Sequence, residues 1–391
     1  MKVAELAAKY SDYVVETRRY LHQYPETGLG TPITQKFIID TLNEIGIPNR
    51  PCGDGGVEGI LGGTKPGKCI MLRADMDALP VNELNDLPYK SKVEGKMHAC
   101  GHDAHMAMLL TAAKVLKEME DEIEGTIKLC FQPGEEVGTG APSMIADGVL
   151  DGVDICFGMH VWADVPAGFV SVPAGPRMAS CDEIRIGIKG KGCHGSMPHQ
   201  GVDAAVVTAA VINNLQSIVS RETSPLEPAV VTVGTIQAGT TWNAVAENSF
   251  MTGTTRTFSQ DIFERLPGMV ERIVKGTCEA FRAECDVQYK RVDPPVTNEA
   301  FLSQVAQNAA CKIFGENANY DFEKVTASED FGHYLQIIPG AFAFVGARNE
   351  AVGACYPQHN GHYQIDESIL LPGACMYAQV GLDWLKAVKD R

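Results

Sequence analysis

The feature that most limits the fold is an alternation, over the first 180 residues, of short apolar runs with a long helical pattern. Residues 60–61, 70–72, 127–131 and 155–157 are apolar runs close to Gly or Pro, the mark of short buried strands. Between them, residues 103–119 place Met106, Leu109, Leu110, Ala113 and Leu116 at a spacing that gives one apolar helix face. Such alternation predicts an α/β sheet covered by helices.

Beyond residue 180 the rhythm changes. Ile184, Ile186 and Ile188 share one face of a strand over 183–189. A helix follows at 202–219. Strand-like stretches at 230–237 and 249–257 flank a Gly-Thr-Thr loop, then come a helix over 260–283 and a strand over 286–292. The order β-α-β-β-α-β is the split βαβ pattern of an α+β ferredoxin-like domain. Pro294-Pro295 marks its end, after which a helix at 299–314, a buried strand at 341–345 and a helix at 371–388 resume the α/β pattern. Because the excursion carries a complete domain pattern, it is expected to be an insertion. Residues 1–181 and 294–391 are then two parts of one catalytic-type domain, and 182–293 form the inserted one. A chain of 391 residues has room for both at about 100–200 residues per domain.

Charge narrows the partners. Lys and Arg number 33 against 49 Asp and Glu, a formal net charge of −16. Broad binding to nucleic acid or to an anionic membrane needs a basic face and is not expected. The N-terminal stretch is charged and amphipathic, with Val3, Leu6, Ala7, Tyr10, Val14 and Leu21 at roughly helical spacing. It lacks the apolar core of a signal peptide. No run approaches the 18 apolar residues of a membrane span, so a cytoplasmic location is expected. The twelve cysteines contain no CxxC pair, which leaves zinc-ribbon and thioredoxin readings without support. Most are expected to be reduced core residues, as at Cys69, Cys130 and Cys156.

The apolar runs end in chemistry. Residues 70–72 lead to Asp75 and Asp77, residues 127–131 to Glu135 and Glu136, and residues 155–157 to His160. In open α/β sheets ligands bind at the carboxyl ends of strands, so this repetition points to an assembled metal site. His98-Ala99-Cys100-Gly101-His102-Asp103-Ala104-His105 adds donors just before the helix. Cys100 and His102 project to one side of an extended stretch. Thiolate, imidazole and carboxylate together suit zinc and its transition-metal neighbours. His98 and His105 read more simply as capping or core histidines. Two adjacent carboxylates repel unless a positive charge lies near; in a metal site one can bind the ion while the other takes a proton from water. Glu135-Glu136 alone could also be a solvated acidic turn.

Taken together, these segments resemble the aminoacylase, hippurate hydrolase and auxin-conjugate hydrolase group of dinuclear metallopeptidases. The resemblance spans nearly the whole chain. It rests on LRADMDALP (72–80), MHACGHDAHMAMLL (97–110), FQPGEE (131–136), GMHV (158–161), CHGSMPH (193–199), ASEDF (327–331) and HNGHYQID (359–366), in matching order and spacing. It implies a metallopeptidase catalytic domain with a central mixed sheet flanked by helices, interrupted by a lid or dimerisation domain, and a homodimer. It also implies two divalent ions per subunit (zinc, manganese, cobalt or nickel) held by Cys100, His102, Glu136, His160 and His359, with Cys100 bridging as a thiolate. Glu135 matches the general base, and His194 a histidine that stabilises the oxyanion, often across a dimer interface. Asn243 and Arg256 match polar positions near the substrate; Arg256 could pair with a substrate carboxylate or form a salt bridge on the strand surface. The Tyr363-Gln364-Ile365-Asp366 ending places His359 at the ligand position, with His362 as the alternative.

Where many relatives in the wider superfamily have His-x-Asp, this chain has Asp75-Met76-Asp77, which matches the amidohydrolase group. Asp75 and Asp77 are then supports of the ligands, and Asp103 a helix cap or a further support. The activity implied is hydrolysis of the amide bond of N-acyl amino acids. The main competitor is a dipeptidase or carboxypeptidase on the same site. A cysteine hydrolase built on Cys100 leaves Glu135, Glu136, His160 and His359 without a task, and a non-catalytic binding protein would be expected to have lost Glu135 or a ligand.

Overall fold

A computed structural model of the chain describes residues 2–389. They form two compact units. One comprises the residues up to Gly175, Thr297–Glu323 and those from Asp330 onward; the other comprises Pro176–Val296 and Lys324–Glu329.

The first unit is built on a seven-stranded mixed sheet. In spatial order its strands are Asn49–Cys52, Gly56–Gly62, Thr126–Gln132, Cys69–Asp75, Ile155–Pro166, Gly340–Arg348 and Val170–Ser171. The middle of the sheet is parallel: Cys69–Asp75 pairs with Thr126–Gln132 on one side and Ile155–Pro166 on the other, and Ile155–Pro166 with Gly340–Arg348. The margins are antiparallel. Cys69–Asp75 is buried at every position, as a parallel strand covered on both faces must be. The register places Asp75 opposite Gln132 and Arg73 opposite both Cys130 and Gly158. The segments that leave these strands therefore emerge side by side.

The helix His102–Glu118 differs from its expected form. Ala104, Ala107, Met108, Ala112 and Val115 are buried as fully as Leu109 and Leu116, so the helix is apolar nearly all round. It packs on the sheet, and the helices Ser11–Gln23 and Leu370–Lys389 pack on it in turn. A helix enclosed in this way has no solvent face to keep polar. Its small residues admit close neighbours.

The second unit carries an antiparallel sheet ordered Glu284–Asp293, Cys181–Lys189, Asn248–Thr257, Ala229–Ala238. Counted along the chain this is fourth, first, third, second, the arrangement a split βαβ pattern produces. Ile184, Ile186 and Ile188 pack with Val207, Val211 and Leu215 of helix Ala204–Ser217 and with Leu266, Val270 and Val274 of helix Gln260–Ala280. The helices start where side chains can satisfy their free amides: Asp203 accepts from the Ala205 N–H, and Ser259 from that of Ile262. Among the described residues no helix is long and apolar enough to cross a membrane.

Candidate active site

The site lies at the carboxyl ends of the central strands of the first unit. Cys100, His102 and His160 bring their ligand atoms within 4.8 Å of one another, and so do Cys100, Glu136 and His359. Cys100 belongs to both groups. Its Sγ is 3.3 Å from His160 Nε2. Glu136 Oε1 is 3.4 Å from His359 Nε2 and 3.9 Å from His102 Nε2. Glu135 Oε2 lies 4.0 Å from His102 Nε2, beside the donors.

Local structure explains each placement. Gly101 precedes the helix at φ 96°, a left-handed conformation that turns the chain sharply between the two donors. A Cβ there would lie 2.3 Å from Val161 Cγ2 and 3.0 Å from the Tyr363 hydroxyl. Glu135 and Glu136 form a short 3-10 turn after Thr126–Gln132, and their amides donate to the two oxygens of Asp77 at 3.0 and 3.2 Å. Asp77 thus clamps the turn that presents both glutamates. His160 Nδ1 faces the Val161 carbonyl at 2.7 Å. A carbonyl only accepts, so Nδ1 carries the proton and Nε2 presents a lone pair towards Cys100. His359 adopts φ 65°, rare outside glycine, and its amide donates to the Ala99 carbonyl at 2.8 Å. Strain of this kind clusters at functional sites. His362 instead lies against the Tyr356 ring, with centroids 5.1 Å apart, and joins no donor group among the described residues.

The electrostatics fit a cation. Both ring nitrogens of His102 and Glu136 Oε1 are buried without a hydrogen-bond partner among the described residues, an arrangement that is unfavourable unless a charge completes it. Burial disfavours the charged form of His102, but the Asp75 carboxylate, with Asp77 and Glu136 behind it, raises its pKa to about 10. Burial pushes the Cys100 thiol up, and Glu136, Glu135 and Asp75 push it further. A divalent ion would invert that balance and favour the thiolate. Burial, assisted by His105, keeps His160 neutral. Nitrogen, oxygen and sulfur donors of this kind suit zinc, manganese, cobalt and nickel.

The remaining candidates fall into three sets. His105 is used up in place: Nδ1 meets Asp75 Oδ1 at 2.5 Å and Nε2 accepts from the Val161 amide at 2.8 Å. Asp75 is also paired with Arg73 at 2.6 Å, and Arg73 in turn with Asp330 at 2.9 Å. His98 is buried among apolar and charged neighbours, and burial lowers its pKa to about 3. Asp103 is not the helix cap, since Gly101 stands at that position; it lies in the first turn and pairs with Arg18 and His22. His194, Asn243 and Arg256 lie in the second unit. His194 is exposed, and its Nδ1 accepts from the Ser196 amide at 3.2 Å, which leaves Nε2 as the protonated nitrogen. The Gly195 amide donates to the Asn243 carbonyl at 2.9 Å, so these two loops are joined. Arg256 donates to the Ser180 carbonyl at 3.5 Å and, among the described residues, forms no salt bridge.

Two donor groups that share a cysteine, with Glu135 beside them, fit a hydrolase that works through metal-assisted attack of water. Residues 71–383 match peptidase family M20/M25/M40. An N-acetyl-L-cysteine deacetylase of Bacillus subtilis is 40% identical over 359 residues, covering 92% of this chain and 85% of the relative. Thermostable carboxypeptidase 1 of Saccharolobus solfataricus is 38% identical over 373 residues, covering 94% of each. Among solved structures, a dinuclear metal-binding peptidase of the family from Bacillus subtilis superposes with a TM-score of 0.85 at 32% identity, covering 97% of this chain and 99% of that one. The chain belongs to peptidase family M20/M25/M40 and is a metal-dependent amidohydrolase of that family.

Proposed function

We propose that the protein hydrolyses N-acyl amino acids to a carboxylic acid and a free amino acid, with two divalent ions held by Cys100, His102, Glu136, His160 and His359. The observation that carries this reading is the membership of Cys100 in both donor groups, so that its thiolate would contribute to both. The resemblance to a deacetylase supports the choice of substrate. When bound, the ions would supply Lewis acidity for the water and the amide carbonyl.

The protein's own groups do the rest. Glu135, close to the donors but outside both Cys100-sharing groups, takes a proton from the attacking water and returns it to the departing nitrogen. Asp77 holds Glu135 and Glu136 in register through their amides. His194, protonated on Nε2, has a donor to offer the oxyanion of the tetrahedral intermediate. Asn243 and Arg256 bind the polar end of the substrate, and the guanidinium of Arg256, which meets the Ser180 carbonyl at 3.5 Å, suits a carboxylate. The acting form is a homodimer, for which sedimentation at working concentration is the check.

A carboxypeptidase reading is favoured by one observation, the 38% identity to thermostable carboxypeptidase 1. It breaks the same kind of bond at the same site. The deciding experiment reconstitutes the purified protein with Mn²⁺ or Zn²⁺ and offers N-acetyl amino acids, hippurate, auxin conjugates, N-acyl-diaminopimelate and dipeptides, with and without chelator. Chelator-sensitive release of amine from the N-acyl compounds, with dipeptides spared, is expected. Cleavage of dipeptides alone would move the assignment to a peptidase.

A further inference from the structure

The helix Ser11–Gln23 contributes no proposed ligand, yet two of its side chains reach the segment that does. Arg18 and His22 stand four residues apart on one helical face, and both are buried. Arg18 Nε lies 2.8 Å from Asp103 Oδ2, an ion pair rather than a well-directed hydrogen bond. His22 Nδ1 lies 2.7 Å from the same oxygen. Arg18 Nη1 also donates to Glu367 at 3.2 Å, and His22 Nε2 faces Glu83 at 3.2 Å. Carboxylates only accept, so the His22 ring donates from both nitrogens and is a charged imidazolium.

This cluster touches both loops of the proposed metal site. Asp103 directly follows His102. On the far side, Glu83 accepts from the Ser91 amide at 2.7 Å, and its neighbour Asn85 donates to the Tyr363 carbonyl at 3.1 Å, four residues beyond His359. Burying two cations against carboxylates is a poor way to gain stability, because desolvation offsets most of the attraction. Such a cluster does impose geometry, since each member tolerates only one arrangement of the others.

We propose that Arg18 and His22 are positioning residues. By gripping Asp103 they hold the Cys100–His102 segment in its metal-binding conformation, and so set metal affinity from outside the ligand set. This inference rests on the metal site assigned above. Outer partners of metal ligands typically change affinity by about 10–100-fold when removed.

The probe is Co²⁺, which reports on its ligands directly. Apo-protein is titrated as wild type, Arg18→Met and His22→Gln, following the thiolate-to-cobalt charge-transfer band and the visible ligand-field bands. Thermal unfolding of each apo-protein is recorded in parallel. Both variants are expected to bind Co²⁺ about 10–100-fold more weakly, with altered ligand-field bands at saturation. Variants that are less stable yet bind Co²⁺ within twofold of wild type, with an unchanged spectrum, would show a purely structural cluster and overturn the proposal. If Arg18→Met does not fold, His22→Gln decides by the same two outcomes, because its amide still donates to one carboxylate. A wild-type protein without a thiolate band would instead overturn the metal site itself, and the positioning role with it.

Discussion

Replacing Gly101 by alanine tests how tightly the turn between Cys100 and His102 is determined. Two penalties add. Holding alanine at φ 96° in a left-handed conformation costs about 1–2 kcal/mol. The new Cβ would also sit 2.3 Å from Val161 Cγ2, on a fully buried β-branched side chain of the strand Ile155–Pro166. Overpacking of that kind costs about 1–3 kcal/mol, so the expected loss is about 2–5 kcal/mol. Gly152 supplies the control. It has φ +73° and nothing within 4 Å of its would-be Cβ, so Gly152→Ala meets only the backbone penalty of about 1–2 kcal/mol. Two compact units make a single two-state transition unsafe to assume. The assay is therefore urea unfolding of the apo-protein in a Trp242→Phe background. Trp242 is 94% exposed in the second unit, and its removal leaves Trp162 and Trp384 to report on the first. If Gly101→Ala unfolds no more readily than Gly152→Ala, the contact with Val161 is not what requires glycine, and the argument for a sterically fixed turn fails.

Three further outcomes follow from the same geometry. Glu135→Gln should lower kcat by about 10²–10⁴ while leaving the metal content measured by elemental analysis unchanged; turnover at the wild-type rate would remove Glu135 from the mechanism. Cys100→Ser should lose metal from both donor groups, because Cys100 belongs to each. Retention of one ion at full affinity, read by calorimetric titration, would contradict that sharing. The third concerns acid. Burial raises the Glu83 pKa, but His22, with the Ser91 amide and Asn85, outweighs it and the net shift is downward. A depressed carboxylate contributes stability that is complete above its unfolded pKa of about 4.3 and drains away as pH falls through the lower folded value. His22, whose own pKa is raised, begins to lose its contribution as pH rises above about 6.5, so the stability gap between wild type and Glu83→Gln is read below that: it should be constant from about pH 6 to 5 and close below about 4. A gap that closes above pH 5 would mean that another group dominates.

The strands and long helices were readable because they follow simple periods. Ile184, Ile186 and Ile188 alternate along a strand with one face on helices, and the structure buries those three. The carboxylates of the proposed site and His160 stood out because each follows an apolar run; Asp75 and Gln132 end their parallel strands opposite one another, whereas Ile155–Pro166 runs on past His160, which is buried within it. The short helix Pro32–Ile45 and the edge strand Asn49–Cys52 gave no comparable signal. The strand contains Pro51 and buries only Cys52, so tertiary pairing decides it rather than pattern. Arg18 and His22 were hidden more thoroughly. They stand at the spacing of the buried stripe of Val14 and Leu21, but nothing in the pattern names their carboxylate partners, which the packing of Ser11–Gln23 against His102–Glu118 supplies.

What the donor set determines is the bond, not the molecule that carries it. Ions held by the proposed donors Cys100, His102, Glu136, His160 and His359 would act on an amide carbonyl, and any linear amide presents the same carbonyl. A deacetylase and a carboxypeptidase therefore share nearly equal identity with this chain, 40% and 38%. Discrimination between them depends on whatever contacts the acyl group and the amino-acid side chain. A missing or added methylene there changes rates by about 10–200-fold, whereas an unpaired buried polar group changes them by about 10⁴–10⁵. Arg256, half-buried and without a carboxylate partner, is the group in the second unit best suited to the larger effect. If it reads a substrate carboxylate, Arg256→Met should depress kcat/KM for N-acetyl amino acids far more than for their carboxamides, measured side by side with the same metal. Equal losses on the two would assign Arg256 to structure and leave recognition to other residues.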